Sequence, residues 1–387
     1  MPAEPPSAAP LPVPPGPAAA GGRRLRVLHF VTGGFSGGAT QVAIALTEAM
    51  RAEPDLEPLL VLRRKRRTPA QRLRELEAAG LPLRVVPGWS HAATIWALVR
   101  LCREFRPDVL IAHGFSEHLW GRYAGLLAGV PHLVHVEHNT KERYTRWRLA
   151  QSRWLARRTA RIVGCSEGVR QVLLAQGMPP ERTLAIPNGI RLAPFAAADA
   201  RDFAARVPGI VMVARFSAQK DHATLLRAVA RLAARGLHPP VLFAGGGKAR
   251  YRARLERLAQ ALGIASQVRF LGVVRNVPEL LMGHRIACLS THYEGMPLAL
   301  IEGMAAGCAA VASAVPGVRE VLQDGIDGRL VPPGDPEALA GVLEFLLREP
   351  AEAARLAAAG RARALAEFSR ERMCRDYAAL CRALAGV

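Results

Sequence analysis

Short apolar runs alternate along the chain with stretches of helical periodicity. The first run, residues 25–31, leads into a glycine-rich loop at 32–38, and a helical pattern follows through Met50. Strand, glycine turn and helix open a parallel α/β unit. Residues 59–62, 83–86, 109–112, 133–136, 161–164 and 183–186 read as further strands, with helical stretches such as 96–105 between them. A second series starts near Gly209, with predicted strands at 210–214, 241–244, 268–271, 286–290, 309–312 and 328–331. Helical connections are predicted at 227–235 and 250–262. This alternation implies right-handed parallel units, and so an α/β chain of two doubly wound, Rossmann-like domains in series.

The expected division is a Pro/Ala-rich leader over 1–22, a first domain over 23–190, a linker over 191–208, a second domain over 209–365 and a terminal helix over 366–387. The linker is alanine-rich and punctuated by Pro194 and Pro208. The tail from Ala338 onward reads as helical throughout, and sequence alone leaves open which domain its last segment crosses. The leader carries no basic n-region and its prolines interrupt any apolar run, so it is expected to be disordered rather than a signal peptide. The longest uncharged stretch, 303–318, is broken by Gly307, Pro316 and Gly317 and falls short of a membrane span.

Charge narrows the partners. The 387 residues carry a formal net charge of +20, and residues 21–190 hold 26 Lys+Arg against 13 Asp+Glu. Such a balance suits anionic partners. Zinc-finger spacing, basic-zipper heptads and RNA-binding aromatic signatures are all missing from the sequence, so nucleic acid is not expected as a partner. The six cysteines form no CxxC pair and several lie in apolar surroundings, which points to buried thiols in a reduced, cytoplasmic protein.

Candidate chemistry gathers at predicted strand ends, where doubly wound sheets bind ligands. The loop ARFSAQKD, residues 214–221, offers Arg215 and Lys220 as a clamp for a diphosphate. The segment STHYEGMPLALIEGMAAG, residues 290–307, places Pro297 at a helix start and Gly307 at its end. Amides near Gly295 to Ala299 would point at an anion, and Glu294 and Glu302 could accept vicinal sugar hydroxyls. The turn at Gly245, Gly246 and Gly247 lets a ligand approach bare backbone, or is a tight turn and nothing more. It lacks the full GxGxxG pattern of a dehydrogenase.

In the first domain the loop around Gly37 and Gly38 could admit a phosphate or a sugar, although Ala39-Thr40 stand where a phosphate loop needs Lys-Ser or Lys-Thr. His113, His135 and His138 lie at or beyond strand ends and could donate hydrogen bonds across a crevice; His138 is favoured and His113 is second. His135, Glu137 and His138 raise the idea of a metal site, but adjacent residues on an extended segment point apart. The sequence has no Asp-x-Asp, and no metal is expected. The run Arg63-Arg64-Lys65-Arg66-Arg67 and a helix predicted over 143–161, with Trp147 and Trp154 on one face, suit either an anionic membrane surface or a solvated face with its tryptophans packed inward.

Together these stretches resemble the GT-B-fold glycosyltransferases of family GT4, in the family's order and over nearly all of residues 25–385. They are SGGATQVAIAL, the His113 strand end, VEHNT, GCSEGV, IPNGI, VARFSAQKDHATLL, FAGGGKARYRARLERLAQALGIASQVRFLG and HYEGMPLALIEGMAAG, with Glu294 and Glu302 at the Glu-x7-Glu spacing. The resemblance implies two domains facing a central cleft, with the last helix crossing back to the first domain. It implies that Arg215 and Lys220 bind the donor diphosphate, with Gly37 and Gly38 closing on it. Glu294, with Gly295 and Met296, would contact the donor sugar, Glu302 the ribose, and His138 the transferred sugar. Gly295-Met296-Pro297 departs from the family's usual Gly-Phe or Gly-Leu after the first glutamate. The expected activity is metal-independent, retaining transfer of a hexose from a UDP- or GDP-type sugar, a substrate rather than a cofactor. The expected acceptor is a glycan or a lipid-linked one, at the inner face of the plasma membrane. A non-hydrolysing nucleotide-sugar epimerase and a non-catalytic, membrane-associated binding protein are the competing readings.

Overall fold

The computed structural model describes residues 23–35, 38–66, 68–141 and 144–387. The leader expected over 1–22 and the candidate Gly37 lie outside the described residues. Seven parallel strands form the first sheet: β1 (Leu25–Thr32), β2 (Leu56–Arg63), β3 (Leu83–Val86), β4 (Val109–His113), β5 (His132–Glu137), β6 (Arg161–Gly164) and β7 (Thr183–Ala185). Their spatial order is β3-β2-β1-β4-β5-β6-β7. Six parallel strands form the second: β8 (Val207–Val213), β9 (Val241–Ala244), β10 (Val268–Gly272), β11 (His284–Leu289), β12 (Ala309–Ser313) and β13 (Arg329–Val331), in the order β10-β9-β8-β11-β12-β13.

Strands such as β4, with every residue buried, are apolar because helices cover both faces of a parallel sheet. The strand order reverses between β1 and β4 and again between β8 and β11. At such switch points the connecting helices leave on opposite faces and a crevice opens at the strand C-termini. The loops after these four strands are therefore where each domain can hold a ligand.

The last helix, Arg370–Ala385, returns to the first sheet. Its Met373, Tyr377 and Cys381 join a core with Val27, Leu46, Ile111 and Val136. Arg382 fastens its end to both oxygens of Asp55, at 2.7 and 2.8 Å, and to Glu53 at 3.0 Å. The two interdomain crossings run together, Ile190 donating its amide to the Phe368 carbonyl and Arg370 donating to the Ile190 carbonyl.

Several boundaries differ from expectation. The second series begins at Val207 rather than Gly209, because β8 pairs with His284 before its apolar run starts. The helix expected over 143–161 covers Arg146–Ala156, capped by the Thr145 hydroxyl. The helical tail is three helices, Pro336–Arg348, Pro350–Glu367 and Arg370–Ala385. Pro350 lacks the amide needed to continue the helix before it. All six cysteines are buried and unpaired. Among the described residues no helix is long and apolar enough to cross a membrane.

Candidate functional site

The C-terminal edges of the two sheets meet. Thr140, just past β5, donates its hydroxyl to the Glu294 carbonyl at 2.9 Å, and Ser166, past β6, donates to the Gly295 carbonyl at 2.8 Å. Gly295 is required there: a Cβ would overlap the backbone of His138, lying 2.7 Å from its carbonyl carbon. Met296 is buried, its sulfur 3.1 Å from the Asn188 amide. Glu320 accepts from the Glu167 amide at 2.7 Å and from the Gly168 amide, tying the start of the helix Glu167–Ala175 to the second domain.

On the second-domain side, the loop after β8 is laced to the loop after β11. The Ser290 hydroxyl donates to the Asp221 carbonyl, the Thr291 hydroxyl to the Gln219 carbonyl, and the Gln219 side chain to the Tyr293 carbonyl. Asp221 takes a left-handed conformation, φ 33°, uncommon for a residue with a side chain and characteristic of sites held by their surroundings. Its carboxylate accepts from Thr224 at 2.7 Å. This scaffold sets Lys220 against Glu294, Nζ to Oε1 2.5 Å, with the Thr291 hydroxyl 2.8 Å from the same oxygen. Arg215 is exposed.

Gly245 and Gly247 pack against the backbone of 214–216, where a Cβ would lie within 2.7 Å of Ala214 or Phe216 atoms. Close strand-end packing by itself explains those two glycines. Gly246 has room, its nearest contact being a flexible Val273 methyl at 3.2 Å.

Glu302 lies in the helix Leu298–Ala305. Desolvation raises its carboxyl to about 7. Such desolvation sets Glu302 apart from a solvated helix face and keeps it a candidate functional group. The N-terminus of this helix faces that of Gly38–Ala52 across the cleft: a Cβ on Gly38 would lie 4.0 Å from Leu298 Cδ1. Two helix starts, one from each domain, therefore present free amides and positive dipole ends to the same space.

Three histidines line up at the first-domain edge. His29 Nδ1 is 3.2 Å from His113 Nε2, and His113 Nδ1 is 3.3 Å from His138 Nε2. Burial pushes His29 down to about 3 and His138 to about 4, and holds His113 well below its usual value, so all three are neutral at physiological pH. The buried Nδ1 of His138 and the buried side-chain oxygens of Asn139 and Asn188 have no hydrogen-bond partner among the described residues. Unpaired buried polar atoms clustered at an interdomain edge fit groups that wait for a ligand.

The metal trio considered from sequence is not assembled. Period-two alternation sends His135 and Glu137 to one side of β5, where His118 joins them, while His138 stacks on His113. Both ring nitrogens of His118 are engaged, Nδ1 by the Arg122 guanidinium at 2.6 Å and Nε2 by the Tyr144 hydroxyl at 2.8 Å. A buried guanidinium in this cluster repels a cation, so the group reads as packing for Arg122. Sequence reasoning missed His29, Thr140, Ser166 and Glu320. Of these only Ser166 had a local signal, as the cap of a helix.

Comparison with known proteins agrees with this geometry. The family model described as "Glycosyl transferases group 1" matches residues 200–363, and that described as "Glycosyltransferase Family 4" matches 36–193. EpsF of Bacillus subtilis (strain 168), named as a glycosyltransferase, is 31% identical over 307 residues, 74% of this chain and 79% of its own. The UDP-Gal:alpha-D-GlcNAc-diphosphoundecaprenol alpha-1,3-galactosyltransferase of Escherichia coli is 24% identical over 64% of this chain and 68% of its own. The crystal structure of Anabaena HepE in complex with UDP-glucose superposes with a TM-score of 0.81 at 20% identity, covering 94% of this chain and 100% of that one. The 31% identical relative matched over 74% of the chain, together with the two family models, shows that the chain belongs to the family 4, group 1 glycosyltransferases, and its two parallel sheets have the GT-B fold.

Proposed function

We propose that the chain moves a hexose from a UDP- or GDP-type sugar to a glycan or lipid-linked acceptor, with retention of anomeric configuration and without a metal ion. On this reading it acts at the cytoplasmic face of a membrane, in the synthesis of a surface polysaccharide or glycolipid. The observation that carries the reading is the pair of opposed helix N-termini, Gly38 and Leu298, beside the Lys220–Glu294 pair. Amide dipoles and a buried ammonium supply the positive field that a departing diphosphate needs. They supply it without the clustered carboxylates of a divalent-ion site.

In the proposed course Arg215 and Lys220 hold the diphosphate, with Gly37 and Gly38 closing on it. Glu294, Gly295 and Met296 contact the donor sugar, and Glu302 accepts the ribose hydroxyls. As the bond from C1 to the phosphate oxygen breaks, the acceptor hydroxyl attacks C1 from the face the phosphate leaves. Its proton passes to the departing phosphate oxygen. Neutral His138 contacts the transferred sugar, and its unpaired Nδ1 supports that role. The acceptor class is argued from the basic first domain, and from similarity to the E. coli galactosyltransferase whose name specifies a diphosphoundecaprenol-linked acceptor.

The test is transfer from UDP- and GDP-hexoses in EDTA, with the product anomer determined by NMR. Transfer with the donor's configuration kept is expected. An inverted anomer, or activity abolished by EDTA and restored by a divalent ion, refutes the corresponding part. Donor isomerisation without acceptor would establish an epimerase instead.

A further inference from the structure

All five tryptophans of the chain lie in the first domain, and four are exposed: Trp89 by 83%, Trp96 by 65%, Trp147 by 74% and Trp154 by 47%. Folding normally buries such rings, each of which offers more apolar area than any other side chain. These four leave it in water on one layer of the molecule. The helix His91–Phe105 turns Thr94, Leu98 and Cys102 inward and Trp96 outward. The helix Arg146–Ala156 turns Ser152, Leu155 and Ala156 inward and leaves Trp147 and Trp154 outside.

The helix Glu117–Ala128 joins the two side by side. His91 stacks on its Trp120 at 4.3 Å, and its Tyr123 stacks on Trp154 and donates a hydrogen bond to Gln151. Trp89, Trp96 and Trp147 sit before or within the first two turns of their helices. In a parallel α/β unit those are the turns beside the strand C-termini, where the cleft opens.

Charge on the same layer is one-sided. Residues 144–158 contain five arginines and no acid. Arg146, Arg153 and Arg157 are exposed, and so are Arg64, Lys65 and Arg66 past the end of β2. That loop belongs to the same rim, because Lys65 reaches Glu117 at 2.9 Å at the start of the middle helix.

We propose that the outer layer carrying Trp89, Trp96, Trp147 and Trp154 among these arginines is a docking surface for an anionic lipid bilayer. Tryptophan is favoured at headgroup depth, where its ring is half apolar and half wet, and each surface cation adds attraction to anionic lipid. A neutral glycan would be gripped in a concave site and would not call for this charge. The rings instead face outward, three from helices and Trp89 from the turn before one. Docking on this layer brings the cleft mouth to the headgroups, within reach of an acceptor whose lipid stays in the bilayer. The inference rests on the membrane placement in the proposed function and names the surface that achieves it, but it does not depend on the transfer chemistry.

The test is cosedimentation of the full chain with phosphatidylcholine vesicles, with and without 30% phosphatidylglycerol, at 0.1 and 0.5 M salt. Two variants are compared with wild type, W89A/W96A/W147A and R146A/R153A/R157A. A nucleotide-induced rise in melting temperature serves as the fold control, and it separates failure of docking from failure of the donor reading. Wild type is expected to bind the anionic vesicles, with blue-shifted tryptophan emission, and to bind pure phosphatidylcholine at least tenfold more weakly. Removing three arginines is expected to weaken binding on the order of a hundredfold. Removing three tryptophans is expected to abolish the salt-resistant fraction. No binding by wild type to anionic vesicles at 0.1 M salt overturns the proposal, as does undiminished binding by both variants. Self-association that the tryptophan variant loses, with no vesicle binding, assigns the surface to a second copy of the chain instead.

Discussion

Replacing Lys220 by Ala separates a structural counter-ion from a catalytic one. Its ammonium contacts Glu294, and the two side chains are only 15% and 7% exposed. Without Lys220 the carboxylate keeps the Thr291 hydroxyl, at 2.8 Å, in a site largely shielded from water. Removing one partner of a buried pair costs about 3 kcal/mol, the lower end of the usual range because Lys220 retains some solvent contact. That cost belongs to folding. If Lys220 also neutralises the departing diphosphate, turnover falls a further 100-fold or more, as for the loss of one preorganised oxyanion donor.

The double variant Lys220→Ala/Glu294→Gln separates the two effects. It removes the stranded charge and is expected to recover most of the stability and none of the diphosphate binding. The assay is thermal unfolding in EDTA with UDP, GDP, ADP and CDP, alongside initial transfer rates. A nucleotide at about 100 times its dissociation constant adds roughly 2.7 kcal/mol to a chain that binds it. We expect one nucleotide to raise the melting temperature of wild type and of neither variant. Lys220→Ala with wild-type turnover and a full nucleotide shift would refute the reasoning and leave Lys220 as the counter-ion of Glu294 alone.

Two further outcomes are expected. Burial raises Glu302 to about 7, so its carboxylate form, the better acceptor for two hydroxyls, fills only as pH rises through that value. Nucleotide affinity measured by calorimetry should therefore increase between pH 6 and 8, and Glu302→Gln should flatten the profile. The same shift means that wild type loses stability as pH rises from the ordinary carboxyl range through about 7, a slope the variant should lack. Tyr377 is fully buried and its hydroxyl has no hydrogen-bond partner among the described residues. Tyr377→Phe should leave stability unchanged or raised, whereas Tyr377→Ala should cost about 3–5 kcal/mol in denaturant unfolding by opening a cavity between the last helix and the first sheet.

Much of this molecule is legible in its sequence, because the signals that carry it are local. Apolar runs of four to eight residues ending in glycine or polar loops mark the parallel strands, since a strand covered on both faces must be apolar throughout. The loop 214–221 and the segment 290–307 announced themselves the same way, as cations and acids placed where a strand hands over to a helix. The sequence by itself determined the α/β class, the two-domain order and the loops that can hold a ligand.

Tertiary structure decided what depends on which strands are neighbours. Lys220 meets Glu294 because β8 and β11 lie side by side, and a separation of 74 positions along the chain carries no trace of that pairing. Nothing local marks His29 within its apolar run; setting β1 beside β4 brings His113 to it, and burial removes the charge from both. The cluster around His135 shows the complementary case: the alternation that puts His135 and Glu137 on one side of β5 is local, but their neighbour His118 comes from the helix Glu117–Ala128. The outward turn of four tryptophans was likewise undetermined. Helical spacing puts Trp147 and Trp154 on one face, and only the packing of three helices on the first sheet decides whether that face looks at the core or at water. Local patterns encode conformation; the electrostatics of a site come from contacts between distant segments, and those exist only once the sheets have formed.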